Sequence, residues 1–175
     1  MIKVYTGTMF SGKSTRLIEE YNKIEDKSKV ICFKPSKDKR EFGAIRARNV
    51  EKVVSSIVIS RFEEILFHIN DEIEYIFIDE VQFVNGNFNI LTNLSLKGIT
   101  IFIGGLKQTS ELRPFGTMPY ILAIADEIEI LHTKCECGEI ARYTDCITNK
   151  DKDILIGDKD KYIPVCEKCY IQNRK

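Results

Sequence analysis

Residues 7–15 read Gly7-Thr8-Met9-Phe10-Ser11-Gly12-Lys13-Ser14-Thr15, a G-x-x-x-x-G-K-S pattern set between an apolar, strand-like run at 2–6 and a helical periodicity at 14–24. No other stretch constrains the fold as strongly. Glycines let the backbone curl so that its N–H groups converge on an anion, and the start of the next helix adds partial positive charge. In such a loop Lys13 reaches the outer phosphates of a nucleotide and the Ser14 hydroxyl ligates Mg2+. A plain glycine turn is the structural alternative; the strand and helix on either side argue against it.

The same alternation continues along the chain. Apolar, β-branched runs at 29–34, 75–79 and 99–104 suit buried strands of a parallel sheet. Between them, Leu17, Ile18, Tyr21 and Ile24 lie at helical spacing, as do Ile65, Leu66 and Ile69 in 61–69, and a weaker helical pattern covers 87–96. The β-α-β order predicts an α/β fold around a parallel sheet. Residues 36–49 follow neither period and predict a long polar loop, with a second irregular stretch at 106–118. Beyond about residue 133, short strands and turns punctuated by cysteines predict a small β-rich module, dividing the chain into 1–133 and 134–175.

A phosphate loop needs a carboxylate to organise its metal, and the apolar run at 75–79 ends in Asp79-Glu80. Asp79 suits Mg2+, and Glu80 suits the acceptor of a proton from an attacking hydroxyl or water. Alone, the pair would read as an acidic turn at a solvated strand end; beside the 7–14 loop it reads as a site. Cys135, Cys137, Cys166 and Cys169 offer four thiolates from two turns, the donor set of a structural Zn2+, with Cys146 as a substitute ligand candidate. Cys32, in a strand, reads as a small hydrophobe. Six basic residues (Lys34, Lys37, Lys39, Arg40, Arg46 and Arg48) stand near Asp38 and Glu41, either as a solvated face or as a loop that closes over a triphosphate.

Lys+Arg and Asp+Glu both number 26, so the chain has no global basic field for a nucleic-acid backbone and any anion site must be local. No apolar run reaches the length of a membrane span, and the strand-like pattern from Met1 leads us to expect neither secretion nor insertion. Six cysteines without a signal peptide point to a reducing, cytoplasmic setting.

Taken in order, G-x-M-F-S-G-K-S-T, Lys37-Asp38-Lys39-Arg40, Asp79-Glu80-Val81-Gln82-Phe83, Arg113-Pro114-Phe115-Gly116 and the tail from Tyr162 to Tyr170 resemble type II thymidine kinases over nearly the whole chain. The resemblance implies a P-loop NTPase (RecA-like) domain with a zinc-bearing lasso module, Mg-ATP as phosphoryl donor, the 5′-hydroxyl of thymidine or deoxyuridine as acceptor, and a homotetramer. It implies ATP contacts from Gly7, Thr8, Met9, Phe10, Ser11, Gly12, Lys13, Ser14 and Thr15, a phosphate and metal role for Asp38 and Arg40, a nucleotide-site role for Asp79 and Gln82, and Glu80 as general base. Met9, Leu106, Phe115, Thr144 and Tyr162 fall where the family lines its nucleoside pocket, and the backbone of Asp153, Ile154, Leu155 and Ile156 would read the base edge. The chain departs from the family at three places. Ser110 occupies the position of a stacking phenylalanine, Arg46-Ala47-Arg48-Asn49 replaces a His-Asp element, and the first cysteine pair is one residue shorter. Two other readings remain at this point: a related kinase with altered base specificity, and a P-loop ATPase or nucleotide-sensing module that binds nucleic acid through its ribbon and Arg-rich loop.

Overall fold

Alternating side chains on the central strands point to opposite faces, and both faces are covered. The computed structural model describes residues 1–38, 43–46, 53–148 and 161–174. In chain order the first elements are β1 (Ile2–Gly7), α1 (Lys13–Lys23), β2 (Val30–Pro35), β3 (Ala44–Arg46), β4 (Val53–Ser55), β5 (Ile57–Ile59), β6 (Tyr75–Ile78), α2 (Asn89–Leu96), β7 (Thr100–Gly105), α3 (Met118–Ala123) and β8 (Glu127–Leu131). Six of these strands form one parallel sheet in the order β5-β2-β6-β7-β1-β8. On one face Ile76, Ile78, Ile101 and Ile103 pack with Leu91 and Leu94 of α2 and Met118 and Ile121 of α3. On the other, Tyr5, Phe77 and Phe102 meet Leu17 and Ile18 of α1, and the Phe77 and Phe102 rings stack at 4.7 Å. Each such buried side chain contributes roughly 1.5–3 kcal/mol relative to exposure. The result is a three-layer α/β architecture.

The order places β7 between β1, which ends in the phosphate loop, and β6, which ends at Asp79. Asp79 must therefore lean across the end of β7 to reach the loop, and β7 ends in Gly104 and Gly105.

Three details differ from expectation. Residues 61–69 form a 3-10 run, Phe62–His68, and not an α-helix: Phe62 and Ile65 are buried at a spacing of three while Leu66 and Phe67 are exposed. The Glu64 side chain accepts from the Ser60 and Arg61 amides and fixes its start. Part of the expected loop at 36–49 is a strand, because β3 pairs antiparallel with β4 and buries Ile45 and Val54 against the α1 side. Lastly, β5 and β8 extend the sheet at both edges beyond the four strands legible in the sequence.

The remaining chain forms two short antiparallel pairs, β9 (Thr133–Lys134) with β10 (Ile140–Ala141) and β11 (Tyr143–Cys146) with β12 (Tyr162–Val165), followed by α4 (Glu167–Gln172). Among the described residues their core is Ala141, Val165 and Tyr170 with Cys135 and Cys166, small enough that a further constraint matters. No helix among the described residues is long and apolar enough to cross a membrane.

Candidate active site and cysteine cluster

The loop from β1 to α1 is shaped by its backbone. Gly12, at φ 88°, takes the left-handed conformation that caps α1, a position costly for any side chain. Phe10 takes φ 66° without that freedom, so the loop holds local strain of the kind that clusters at functional sites. Lys13 is buried and its Nζ donates to the Thr8 carbonyl at 2.7 Å, folding the ammonium into the concavity of the loop. The Thr8 and Ser11 hydroxyl oxygens are buried within the loop and have no hydrogen-bond partner among the described residues. Unpaired buried hydroxyls are costly unless a ligand completes them, and donors converging on a cation suit an anion.

The acidic end of β6 joins this loop directly. Ser14 Oγ donates to Asp79 Oδ2 at 2.8 Å, across the end of β7. Gly104 makes the approach possible: a Cβ there would lie 2.9 Å from Asp79 Oδ1 and 2.8 Å from Leu17 Cδ1. Burial, helped by the charge of Glu80, pushes the Asp79 carboxyl up to about 6, against the pull of the Ser14 hydrogen bond, Lys34 and Lys13. A carboxyl so poised is stabilised as an anion by an added cation, and its Ser14 partner supplies a second oxygen, so the pair fits a hard divalent ion. Glu80 follows at φ 51°, also strained; its amide donates to Asp79 Oδ1 at 3.0 Å, and Gln82 Nε2 donates to its carboxylate. Gln82 Oε1 in turn accepts from the Leu106 amide at 3.0 Å, tying the acidic segment to the chain leaving β7.

Most residues singled out from the sequence therefore meet. The 7–15 loop, Asp79, Glu80, Gln82 and Leu106 form one connected network. Phe115 is buried and packs edge-on against Phe83 at 5.2 Å. Thr144 Oγ1 accepts from the Met9 amide at 2.9 Å, so the C-terminal module touches the phosphate loop itself. Tyr162 is buried on β12, opposite Cys146. Asp38 is buried in an ion pair with Lys34 at 3.2 Å. Arg40, Asp153, Ile154, Leu155 and Ile156 lie outside the described residues, as do Lys39 and Arg48. Ser110 is buried, and its carbonyl accepts from Tyr170 Oη at 2.6 Å and Arg174 Nη2 at 2.9 Å.

Sequence reasoning missed Lys34, which it counted only in a basic run. Its ammonium is buried, donates to the Ala44 carbonyl and acts on Asp79 as well as Asp38. The signal was present: one lysine inside the apolar strand Val30–Pro35. The Tyr170–Arg174 contacts had no such signal.

The Sγ atoms of Cys135, Cys137, Cys166 and Cys169 all lie within 4.8 Å of one another, with Cys137 and Cys166 at 3.6 Å. Tetrahedral sulfur at about 2.3 Å from a metal gives S–S edges of about 3.8 Å. The cluster could hold a metal ion. Burial would raise the Cys135 thiol, but backbone donation from Cys137 and Cys166 and contacts with the neighbouring thiols outweigh it and bring Cys135 down to about 7. Those neighbours push Cys169 up to about 12. Cys146 stands outside the cluster, and burial pushes Cys32 up to about 12, the signature of an inert core thiol.

A parallel α/β sheet with this loop, its acidic strand end and a module whose four cysteines could hold a metal ion defines a P-loop nucleotide-binding protein with a cysteine-bearing appendage. A model of the thymidine kinase family matches residues 1–170. Among curated proteins, the chain is similar to the thymidine kinase of Bacteroides thetaiotaomicron (33% identical, over 99% of this chain and 88% of that one). It is also similar to those of Mycoplasma mobile (36%, over 100% and 89%) and Bacteroides fragilis (34%, over 97% and 86%). The chain belongs to the thymidine kinase family.

Proposed function

We propose that the protein transfers the γ-phosphoryl group of ATP to the 5′-hydroxyl of thymidine or deoxyuridine. The observation that carries the reading is the Ser14–Asp79 hydrogen bond, which unites the phosphate loop with an acidic pair whose second member, Glu80, stands beside it. Backbone amides of 7–14 and Lys13 bind the β- and γ-phosphates and stabilise the charge of the transferred group. Ser14 and Asp79 hold Mg2+, which when bound neutralises phosphate charge. Glu80 accepts the proton of the 5′-hydroxyl. Its strained backbone and the Gln82 side chain hold the carboxylate in place. Met9, Leu106, Phe115, Thr144 and Tyr162 enclose the nucleoside, the lasso backbone at 153–156 reads the base edge, and Asp38 with Arg40 serves the phosphate side.

Units 1–133 and 134–175 divide the labour between nucleotide binding and a module held by one Zn2+ on Cys135, Cys137, Cys166 and Cys169, whose binding supplies the cross-link that its small core lacks. The six free cysteines accord with a cytoplasmic location, and a homotetramer completes the proposal on the strength of the family. The test is ADP release with thymidine as acceptor, run beside deoxyuridine, the other nucleosides and single-stranded DNA. Thymidine-dependent release supports the reading. Release stimulated only by DNA assigns the chain to nucleic-acid-dependent ATPases, and release with a different nucleoside assigns an altered base specificity.

A further inference from the structure

The excursion of the chain at 107–115 leaves β7 and returns toward α3 as a narrow hairpin. Phe115 N donates to Lys107 O at 3.2 Å, Gln108 bridges Pro114, and the Thr109 amide donates to Arg113 O at 2.9 Å. Its base is tied to the acidic segment through Leu106 and Gln82. Its tip, Ser110-Glu111-Leu112, with Leu112 at φ 58°, is gripped by the last turn of the C-terminal module.

There the contacts converge on one side chain. Arg174 forms a bidentate pair with Glu111, Nη1 to Oε2 and Nη2 to Oε1, both at 2.9 Å. Nη2 also donates to the Ser110 carbonyl at 2.9 Å and lies 3.4 Å from Asp145 Oδ1, while the guanidinium rests 4.3 Å from the centre of the Tyr170 ring. Tyr170 donates its own hydroxyl to Ser110 O, and Asn173 donates to Asp145 Oδ2 at 2.9 Å. Exposed ion pairs contribute little, but a half-buried, forked pair backed by an aromatic ring and a fully buried carboxylate is geometrically specific. Asp145 follows Thr144, the residue bonded to Met9. Cys166 and Cys169, at the start of α4 and inside it, belong to the thiol cluster.

We infer that Arg174, seated by Tyr170, is a positioning residue that clamps the tip of the 107–115 hairpin to β11 and so sets the wall of the nucleoside pocket between Leu106, Phe115 and Thr144. The cysteine cluster acts on nucleoside binding through this clamp, because it fixes the helix from which the clamp reaches. The inference rests on the nucleoside-kinase reading for its kinetic consequence, though not for the clamp itself.

The experiment uses the full-length, zinc-loaded protein with Arg174→Lys, which keeps the charge and loses the fork, with Glu111→Gln, and with the double variant. Thymidine KM is expected to rise about tenfold in each single variant while kcat and ATP KM stay within about twofold, the pattern of lost ground-state positioning. The double variant should add little beyond either single change, as partners in one contact do. Amide hydrogen exchange at 109–113 should quicken in the same variants, with zinc content and thermal midpoint little changed. Unchanged exchange and unchanged thymidine KM would overturn the clamp, as would a parallel rise in both KM values, which marks general loosening. A wild-type protein that phosphorylates no nucleoside would overturn the functional reading, and the exchange measurement would then decide the clamp by itself.

Discussion

The hydroxyl of Thr144 accepts the amide hydrogen of Met9 at 2.9 Å, so a residue of the cysteine-bearing module bonds the backbone of the phosphate loop directly. Two parts of the chain 135 residues apart are thereby brought into one site.

Replacing Thr144 by Val keeps its shape and removes the acceptor, leaving a partly buried N–H unpaired at a cost of roughly 1–3 kcal/mol. Thymidine KM is expected to rise about tenfold, with Thr144→Ser restoring most of the loss because it retains the oxygen. Steady-state titrations of the three proteins check this. Equal KM values in all three would show that closure of the module on Met9 does not matter for nucleoside binding.

Gly104→Ala places a methyl group against both Asp79 Oδ1 and Leu17 Cδ1. One neighbour must move, and overpacking of this kind costs about 1–3 kcal/mol. Displacement of Asp79 separates it from Ser14, so magnesium-dependent ATP binding should weaken more than the thermal midpoint falls. Titration calorimetry with and without Mg2+, beside thermal melts, distinguishes the two effects.

The phosphate loop, the acidic pair and the four cysteines were legible because each chemistry requires particular residue types at short spacing. The central strands were legible from their apolar runs. What escaped was set by tertiary pairing. Ala44–Arg46 becomes a strand only because Val53–Ser55 lies beside it, and Phe62–His68 winds at three residues per turn because Phe62 and Ile65 must both face the core. Gly104 carries no local sign of its task, which depends on β7 standing between β1 and β6. The anchoring of Tyr170 and Arg174 on the Ser110 carbonyl left no mark in the sequence either, because a backbone acceptor does not depend on the side chain that stands there.

Asp79 gives a pH signature. Its folded-state carboxyl sits near 6, above its value of 3.8 outside the fold, so the folded protein binds this proton more tightly than the unfolded chain. The resulting stabilisation is present below about pH 4 and is lost as pH rises through about 6. In buffer free of magnesium and nucleotide, Asp79→Asn should therefore be more stable than the parent at pH 7.5, by on the order of 1–3 kcal/mol, and nearly equal to it at about pH 4. Mg-ATP should then raise the thermal midpoint of the parent and leave that of the variant almost unmoved. A stability difference that does not grow with pH would show that the buried carboxylate is fully compensated by Ser14, Lys34 and Lys13.

Four cysteine sulfurs within 4.8 Å of one another, in a module with a five-residue core among the described residues, should bind about one zinc per chain. Elemental analysis of protein purified without chelator checks the content, and less than about a quarter of an equivalent would refute a structural zinc of the usual affinity. Removal by a strong chelator should lower the thermal midpoint by several degrees and raise hydrogen exchange through β9–β12 before it reaches the parallel sheet. Cys32 should stay unalkylated in the native protein throughout, since its thiol is buried and held near 12.

Glu80 is the sharpest test of mechanism. Its left-handed backbone is held by donation from its own amide to Asp79 and by the Gln82 side chain, and both restraints survive in Glu80→Gln. Lys13, Ser14 and Asp79 are likewise untouched, so Mg-ATP affinity should remain within about threefold of the parent, well under the tenfold that 1.4 kcal/mol represents. The 5′-hydroxyl, however, loses its proton acceptor, and general-base removal typically lowers turnover by roughly 10²–10⁴-fold. Stopped-flow binding of a fluorescent ATP analogue with single-turnover phosphorylation separates binding from chemistry. Turnover that survives intact would assign the whole rate enhancement to alignment and to stabilisation of the transferred phosphoryl group by the 7–14 loop, with Glu80 serving only to fix Gln82 and the chain leaving β7.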